Sequence, residues 1–137
     1  MTGGRQDGGM ELGSRGVVSA VVGDDDTAVR VGSGDVPVLG TPRLLALAEG
    51  ATVEAVAGLG DGRTSVGTRV ELEHLAASPV GMRVTVEAVL TEVDGARLVF
   101  EFEATDERDV VVGKGRVERV VVDRERFLAR LPRVDRG

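Results

Sequence analysis

Between Gly40 and Gly60 the chain reads GTPRLLALAEGATVEAVAGLG, and its apolar side chains spread around most of a helical wheel. Leu44, Leu45, Leu47, Ala48, Ala51 and Val56 leave no broad polar face, so a helix here has to be enclosed by a strongly curved sheet or by a partner. Thr41 has N-cap chemistry and Pro42 suits the first helical position, while Gly58, Gly60 and Gly62 end the helix near Leu59. Glu49 interrupts the apolar surface: its neighbours four residues away are Leu45 and Val53, and Val56 lies seven on. A carboxylate among aliphatic side chains has its charged form disfavoured, which makes Glu49 a candidate base, acid or nucleophile. The alternative is a shorter or rotated helix whose edge lets Glu49 reach water.

Period-two alternation marks the strands around this helix. In VGTRVELEH the even positions Val66, Thr68, Val70, Leu72 and His74 oppose Arg69, Glu71 and Glu73, which predicts the only histidine on the inner face at the end of a strand. An imidazole there can exchange protons near neutral pH, its ordinary pKa being about 6.5. LAASPVG reads as a turn, after which Met82, Val84, Val86, Ala88 and Leu90 line one side of a strand from Met82 to Val93. Asp94-Gly95 is a strong hairpin signal leading into a strand from Ala96 to Thr105, with Leu98, Phe100, Phe102 and Ala104 inward. A long valine-rich strand runs from Val110 to Asp123, where Gly113 and Gly115 predict a bulge or a close approach to a ligand. Asp123 caps a short terminal helix carrying Phe127, Leu128 and Leu131 before Pro132. Upstream, Val17 to Val22 is a short strand, the run Asp24, Asp25, Asp26 a solvated turn, and Val29 to Leu39 a second short strand or an irregular loop.

Short strands, one long apolar helix and then hairpin-linked strands make an α+β layout, with the helix against one face of an antiparallel sheet. At 137 residues the chain has room for one domain, expected over residues 17–137 behind a Gly-rich, disordered tail at 1–16. Phe100, Phe102 and Phe127 are the only aromatics and the net charge is −6, which argues against nucleic acid or an anionic membrane as partner. With no cysteine and one histidine, neither a metal nor another cofactor is expected. No apolar run approaches the roughly 20 residues of a membrane span, and no secretory pattern opens the chain, so a cytoplasmic location is expected.

The stretch from Val66 to Phe127, together with GTPRLLALAEGA upstream, resembles the fluoroacetyl-CoA thioesterase group of hotdog proteins. The likeness spans residues 17–131 and is best at the V-G-T…H-x-A-A-S-P-x-G-M block, the D-G hairpin and the G-x-G…E-R strand. It implies a hotdog fold, in which a curved antiparallel sheet wraps one central helix. The family's site is a threonine at the start of the helix, a glutamate eight residues on and a histidine in the following strand; Thr41, Glu49 and His74 stand at the matching places. Gly67 matches the glycine whose backbone N–H binds the thioester oxygen, and Arg119 an arginine lining the pocket. Two positions depart from the pattern. Val117 stands where the family often has a histidine, and Val36 to Gly40 lacks the aromatic gate linked to fluoroacetyl selectivity. The activity implied is therefore hydrolysis of a small acyl thioester, of coenzyme A or a carrier protein, rather than of a fluorinated substrate in particular. Because hotdog sites commonly lie at subunit interfaces, a homodimer is expected, with Thr41 and Glu49 facing His74 of another protomer. The rival readings are a non-catalytic acyl-CoA or small-ligand binding module, and a dehydratase or isomerase acting on an acyl thioester.

Overall fold

The computed structural model describes residues 10–136. Five strands, β1 (Arg15–Val21), β2 (Arg63–His74), β3 (Arg83–Asp94), β4 (Arg97–Asp106) and β5 (Val111–Asp123), form one sheet in the order β1-β3-β4-β5-β2. All four pairings are antiparallel. A one-turn helix α1 (Ala28–Val31) and the long helix α2 (Thr41–Ala55) lie between β1 and β2, and α3 (Arg124–Ala129) follows β5. The curled sheet around α2 is the hotdog arrangement expected from the sequence.

Alternation fixes which face of the sheet meets the helix. Val84, Val86, Ala88 and Leu90 of β3 and Leu98, Phe100, Phe102 and Ala104 of β4 are buried, as predicted, against Leu44, Leu47, Ala48 and Ala51 of α2. The helix lies chiefly across β1 and β3. Small residues permit that closeness: a Cβ at Gly16 would stand 2.7 Å from Glu54 Cβ and collide with the backbone of Ala51. Its face bearing Leu45, Glu49 and Val53 looks past β2 instead, and Val53 is 50% exposed. The sheet thus encloses most of α2 but not all of it.

Several expectations need correction. Part of the expected tail is built into the sheet: β1 begins at Arg15, and Gly13 N–H donates to Leu90 O while Leu90 N–H donates to Ser14 O, each at 2.8 Å. The rest of that expectation, residues 1–9, lies outside the described residues. The N-cap of α2 is Gly40, not Thr41, so Pro42 falls at the second helical position and the last helical residue is Ala55 rather than Leu59. Val29 to Leu39 contains α1 and a loop, tied down by single bridges of Thr27 to Leu39 and of Val38 to Pro79. Gly113 and Gly115 are both required by close packing. A Cβ at Gly113 would come 2.8 Å from Leu44 Cδ2, and one at Gly115 would strike Glu71 O and stand 2.8 Å from the Phe102 ring. The bulge predicted there is present at Val112, where Ala104 pairs with Gly113 but Thr105 with Val111. Among the described residues no helix is long and apolar enough to cross a membrane.

The close β2–β5 approach makes Gly115→Ala a sharp test of the packing. It should cost about 2 kcal/mol, as overpacking against a backbone carbonyl and a buried ring does. A urea midpoint unchanged from wild type would show that the strands have slack at this position.

Candidate active site

Thr41 occupies the first turn of α2, but its hydroxyl makes no cap hydrogen bond. Thr41 Oγ1 instead lies 2.7 Å from His74 Nδ1, at the end of β2. The helix start is held by other groups, which frees the threonine for this contact. Gly40 N–H donates to Asp26 O at 2.9 Å, and the Asp26 carboxylate accepts from Gly23 N–H and from Arg43 Nε, both at 2.7 Å. The Gly23 hydrogen bond, followed by that of Arg43, pulls the Asp26 carboxyl below the usual carboxylate range. Of the three acidic residues read as a solvated turn, Asp24 and Asp25 do face water and Arg30, whereas Asp26 braces the first turn of α2. The sequence offered no sign of this role, because the Asp26–Arg43 pair spans 17 residues.

His74 is half-buried, as the alternation predicted. Burial lowers its pKa below the ordinary 6.5, so the neutral imidazole is favoured at neutral pH. Its Nε2 is buried with no hydrogen-bond partner among the described residues. The pair opens on a cleft of about 370 Å³ whose walls, including Ala28, Val36, Leu39 and Ala76, are mostly small or aliphatic. A hydroxyl beside a neutral imidazole is the arrangement in which the ring can take the hydroxyl proton as the oxygen attacks an electrophile.

Glu49 stands eight residues along α2 from Thr41, about 12 Å at the helical rise. It is 37% exposed, and its Oε2 lies 3.6 Å from Arg119 Nη1. The carboxylate stranded among aliphatics is therefore not what folds; the edge-facing alternative is nearer the truth. Its neighbour across the gap is Gly67 of β2, where any Cβ would collide with Glu49 Oε2. Arg119 is 7% exposed and fully engaged. Its Nε donates to Ser65 Oγ at 2.8 Å, its Nη2 to Ser65 O at 2.9 Å, and its Nη1 to Thr52 Oγ1 at 3.5 Å. Desolvation lowers the Arg119 pKa and the Glu49 charge opposes that shift, so the guanidinium stays charged beneath the carboxylate. Ser65 and Thr52 are supporting residues that the sequence reading did not single out. Thr52 is a polar residue on the buried face of α2, whereas Ser65 lies at an odd position that the alternation reads as outward, because a bulge between Gly67 and Arg69 shifts it.

The structure thus brings the five predicted residues into two groups, Thr41 with His74 and Glu49 with Gly67 and Arg119. Thr41 and His74 meet within one chain, contrary to the expectation that Thr41 faces the histidine of another protomer. Among the described residues no group of three or more metal-ligating side chains could hold a metal ion.

A curled antiparallel sheet around a central helix defines a protein of the hotdog fold. Residues 22–125 match the family described as FlK: Fluoroacetyl-CoA-specific thioesterase. A fluoroacetyl-CoA thioesterase of Streptantibioticus cattleyicolor is 40% identical over 95 residues, covering 69% of this chain and 68% of that protein. The solved structure of the fluoroacetyl-CoA thioesterase FlK superposes with a TM-score of 0.80 at 34% identity, covering 89% of this chain and 98% of the other. A Thermus thermophilus hypothetical protein of the thioesterase superfamily superposes with the same TM-score at 29% identity, over 88% of this chain and 89% of its own. The chain belongs to the fluoroacetyl-CoA-specific thioesterase family and is a thioester hydrolase of the hotdog fold.

As the only histidine, His74 gives an unambiguous NMR titration, and its midpoint is expected below 6.5. The unfolded chain takes up this proton near pH 6.5 and the folded chain only at lower pH, so the unfolded state binds more protons between the two values. Stability should therefore fall as pH drops from about 6.5 to the folded-state pKa, and this slope should vanish in His74→Gln. A midpoint at or above 6.5 would contradict the burial of the ring.

Proposed function

We propose that the chain hydrolyses a small acyl thioester, of coenzyme A or an acyl carrier, with Thr41, His74 and Glu49 as reacting groups and Gly67 and Arg119 as binding groups. The observation that carries this reading is the 2.7 Å contact between Thr41 Oγ1 and His74 Nδ1, made by a hydroxyl whose capping duty has passed to Gly40. Thr41 Oγ1 attacks the thioester carbonyl while its proton passes to His74 Nδ1; the imidazolium then returns a proton to the departing thiolate. Glu49 activates the water that cleaves the acyl-threonine, regenerating the hydroxyl and releasing the acid. Gly67, bare beside Glu49, offers its N–H to the developing oxyanion, and Arg119 fixes the Glu49 carboxylate.

The two groups of residues act on one thioester only if two copies of the chain combine. β2 is an edge strand, and its outer side has no partner within the chain. Antiparallel pairing of two β2 edges about a two-fold axis at Glu71, with Thr68 bulged out as it is against β5, sets Gly67 of one copy opposite His74 of the other. A homodimer of this kind also covers Val53 and the rest of the uncovered face of α2. Coenzyme A as the thiol part is supported by relatives of this family solved with acetyl-CoA and with fluoroacetate and CoA. The aliphatic walls of the Thr41–His74 cleft suit a short uncharged acyl group.

Thiol release from a panel of short acyl-CoAs tests the reading. Thr41→Ala and His74→Ala should each lower kcat by roughly 10²- to 10⁴-fold while the fold is retained, the range expected for a group that transfers protons or forms the acyl intermediate. No thiol release from any acyl-CoA or acyl-carrier substrate by folded wild type, with acyl-CoA still bound, would leave a binding module.

A further inference from the structure

The arginines of the chain differ in their partners. Eight of them, from Arg15 to Arg119, have a carboxylate oxygen within 3.6 Å. Arg63 and Arg124 are two of those with none among the described residues; Arg63 donates to Leu59 O instead, and both residues are exposed. These two line the same cavity, of about 230 Å³, at the junction of β2, the end of α2 and the start of α3. The cavity also touches Val53, Val56, Thr64 and Ser65, and Ser65 is the residue that anchors Arg119 beneath Glu49. The cavity therefore adjoins, through Ser65, the support of the Glu49–Gly67 group and carries Arg63 and Arg124 in its lining. Four strand residues separate Gly67 from Arg63, about 13 Å. Asp123, the acid across β2 from Arg63, is spent on capping α3 through Arg126 N–H at 2.8 Å. Beyond it, residues 124–136 hold five arginines against two acids in a chain of net charge −6.

We propose that Arg63 and Arg124 bind the phosphates of the coenzyme A nucleotide, with the cavity between them and Ser65 taking the pantetheine arm. The assignment rests on the reading of the Glu49–Gly67 group as part of a thioesterase site. An extended pantetheine has about a dozen chain atoms, a span on the order of 15 Å, comparable with the length of strand between Gly67 and Arg63. A nucleotide bearing a diphosphate and a 3′-phosphate offers each guanidinium an anionic partner, and arginine meets phosphate through paired N–H donors. The same surface gives the acyl-thioester site a way to prefer CoA over a bare pantetheine.

Calorimetric binding of CoA and of pantetheine, which lacks the nucleotide, separates this proposal from the hydrolase reading because neither ligand has to be turned over. Wild type should bind CoA about tenfold more tightly than pantetheine, a margin that shrinks with added salt. Arg124→Glu should abolish the margin without changing pantetheine affinity, and Arg63→Gln should reduce it in the same direction. Equal weakening of both ligands would show a structural role and overturn the proposal, as would an unchanged preference for CoA. Weakening confined to an acyl carrier protein would assign the cluster to protein docking and overturn it likewise. Failure of wild type to release thiol, with the CoA margin intact, would count against hydrolysis alone.

Discussion

The enclosure of α2 is the constraint on which the rest of the structure depends. Each leucine or valine taken fully out of water contributes about 1.5–3 kcal/mol, and this helix presents such residues on nearly every side. A single five-stranded sheet covers the side facing β1 and β3 and leaves the side bearing Leu45, Glu49 and Val53 beside an open edge. That incomplete cover is where the proposed Glu49–Gly67 half of the site sits. A carboxylate on the wrapped side would have been desolvated and unpaired; at the uncovered margin Glu49 keeps partial access to water and gains a cation beneath it.

Buried polar groups hold both halves of the site in position. Arg119 is taken almost wholly out of water, a loss offset by Ser65 at Nε and Nη2 and by Thr52 and Glu49 at Nη1. Because the same cation touches β2, α2 and the carboxylate, it fixes where Glu49 points relative to Gly67. At the other end, Asp26 ties the turn after β1 to Arg43, and Gly40 takes over the cap. Thr41 is thereby left with a hydroxyl to direct at His74. Ser65 lines the cavity shared by Arg63 and Arg124, so one serine links the support of the carboxylate to the proposed nucleotide end.

Much of the fold was legible because half-buried strands must alternate. The inward sets of β3 and β4 and the position of His74 followed from period two alone, and Asp94-Gly95 located the hairpin between β3 and β4. The helix was legible from its apolar surface, but its ends were not. Threonine before proline carries cap chemistry whether or not its hydroxyl is used there, and only the non-local bond to His74 decides between the two. Gly13 to Gly16 looked like tail because hydrogen bonding to Leu90 and packing under α2 leave no trace in composition. Gly113 and Gly115 were legible as a bulge or a close approach, but a glycine records closeness without saying to what. Thr41, Glu49, Gly67, His74 and Arg119 were all marked by family resemblance, with Glu49 and His74 also marked by their place on apolar faces. Their division into two groups required the distances.

That division leads to the central claim, that each reacting site is shared between two copies of the chain. Complementation tests it most directly. Thr41→Ala and Glu49→Gln homodimers, each inactive, would be mixed under conditions that exchange subunits. A shared site leaves the heterodimer with one centre carrying both substitutions and one carrying neither, so thiol release should recover to about a quarter of the wild-type rate. If heterodimers form by mass spectrometry and the mixture stays inactive, Thr41 and Glu49 do not serve one thioester across the interface, and the shared site is wrong.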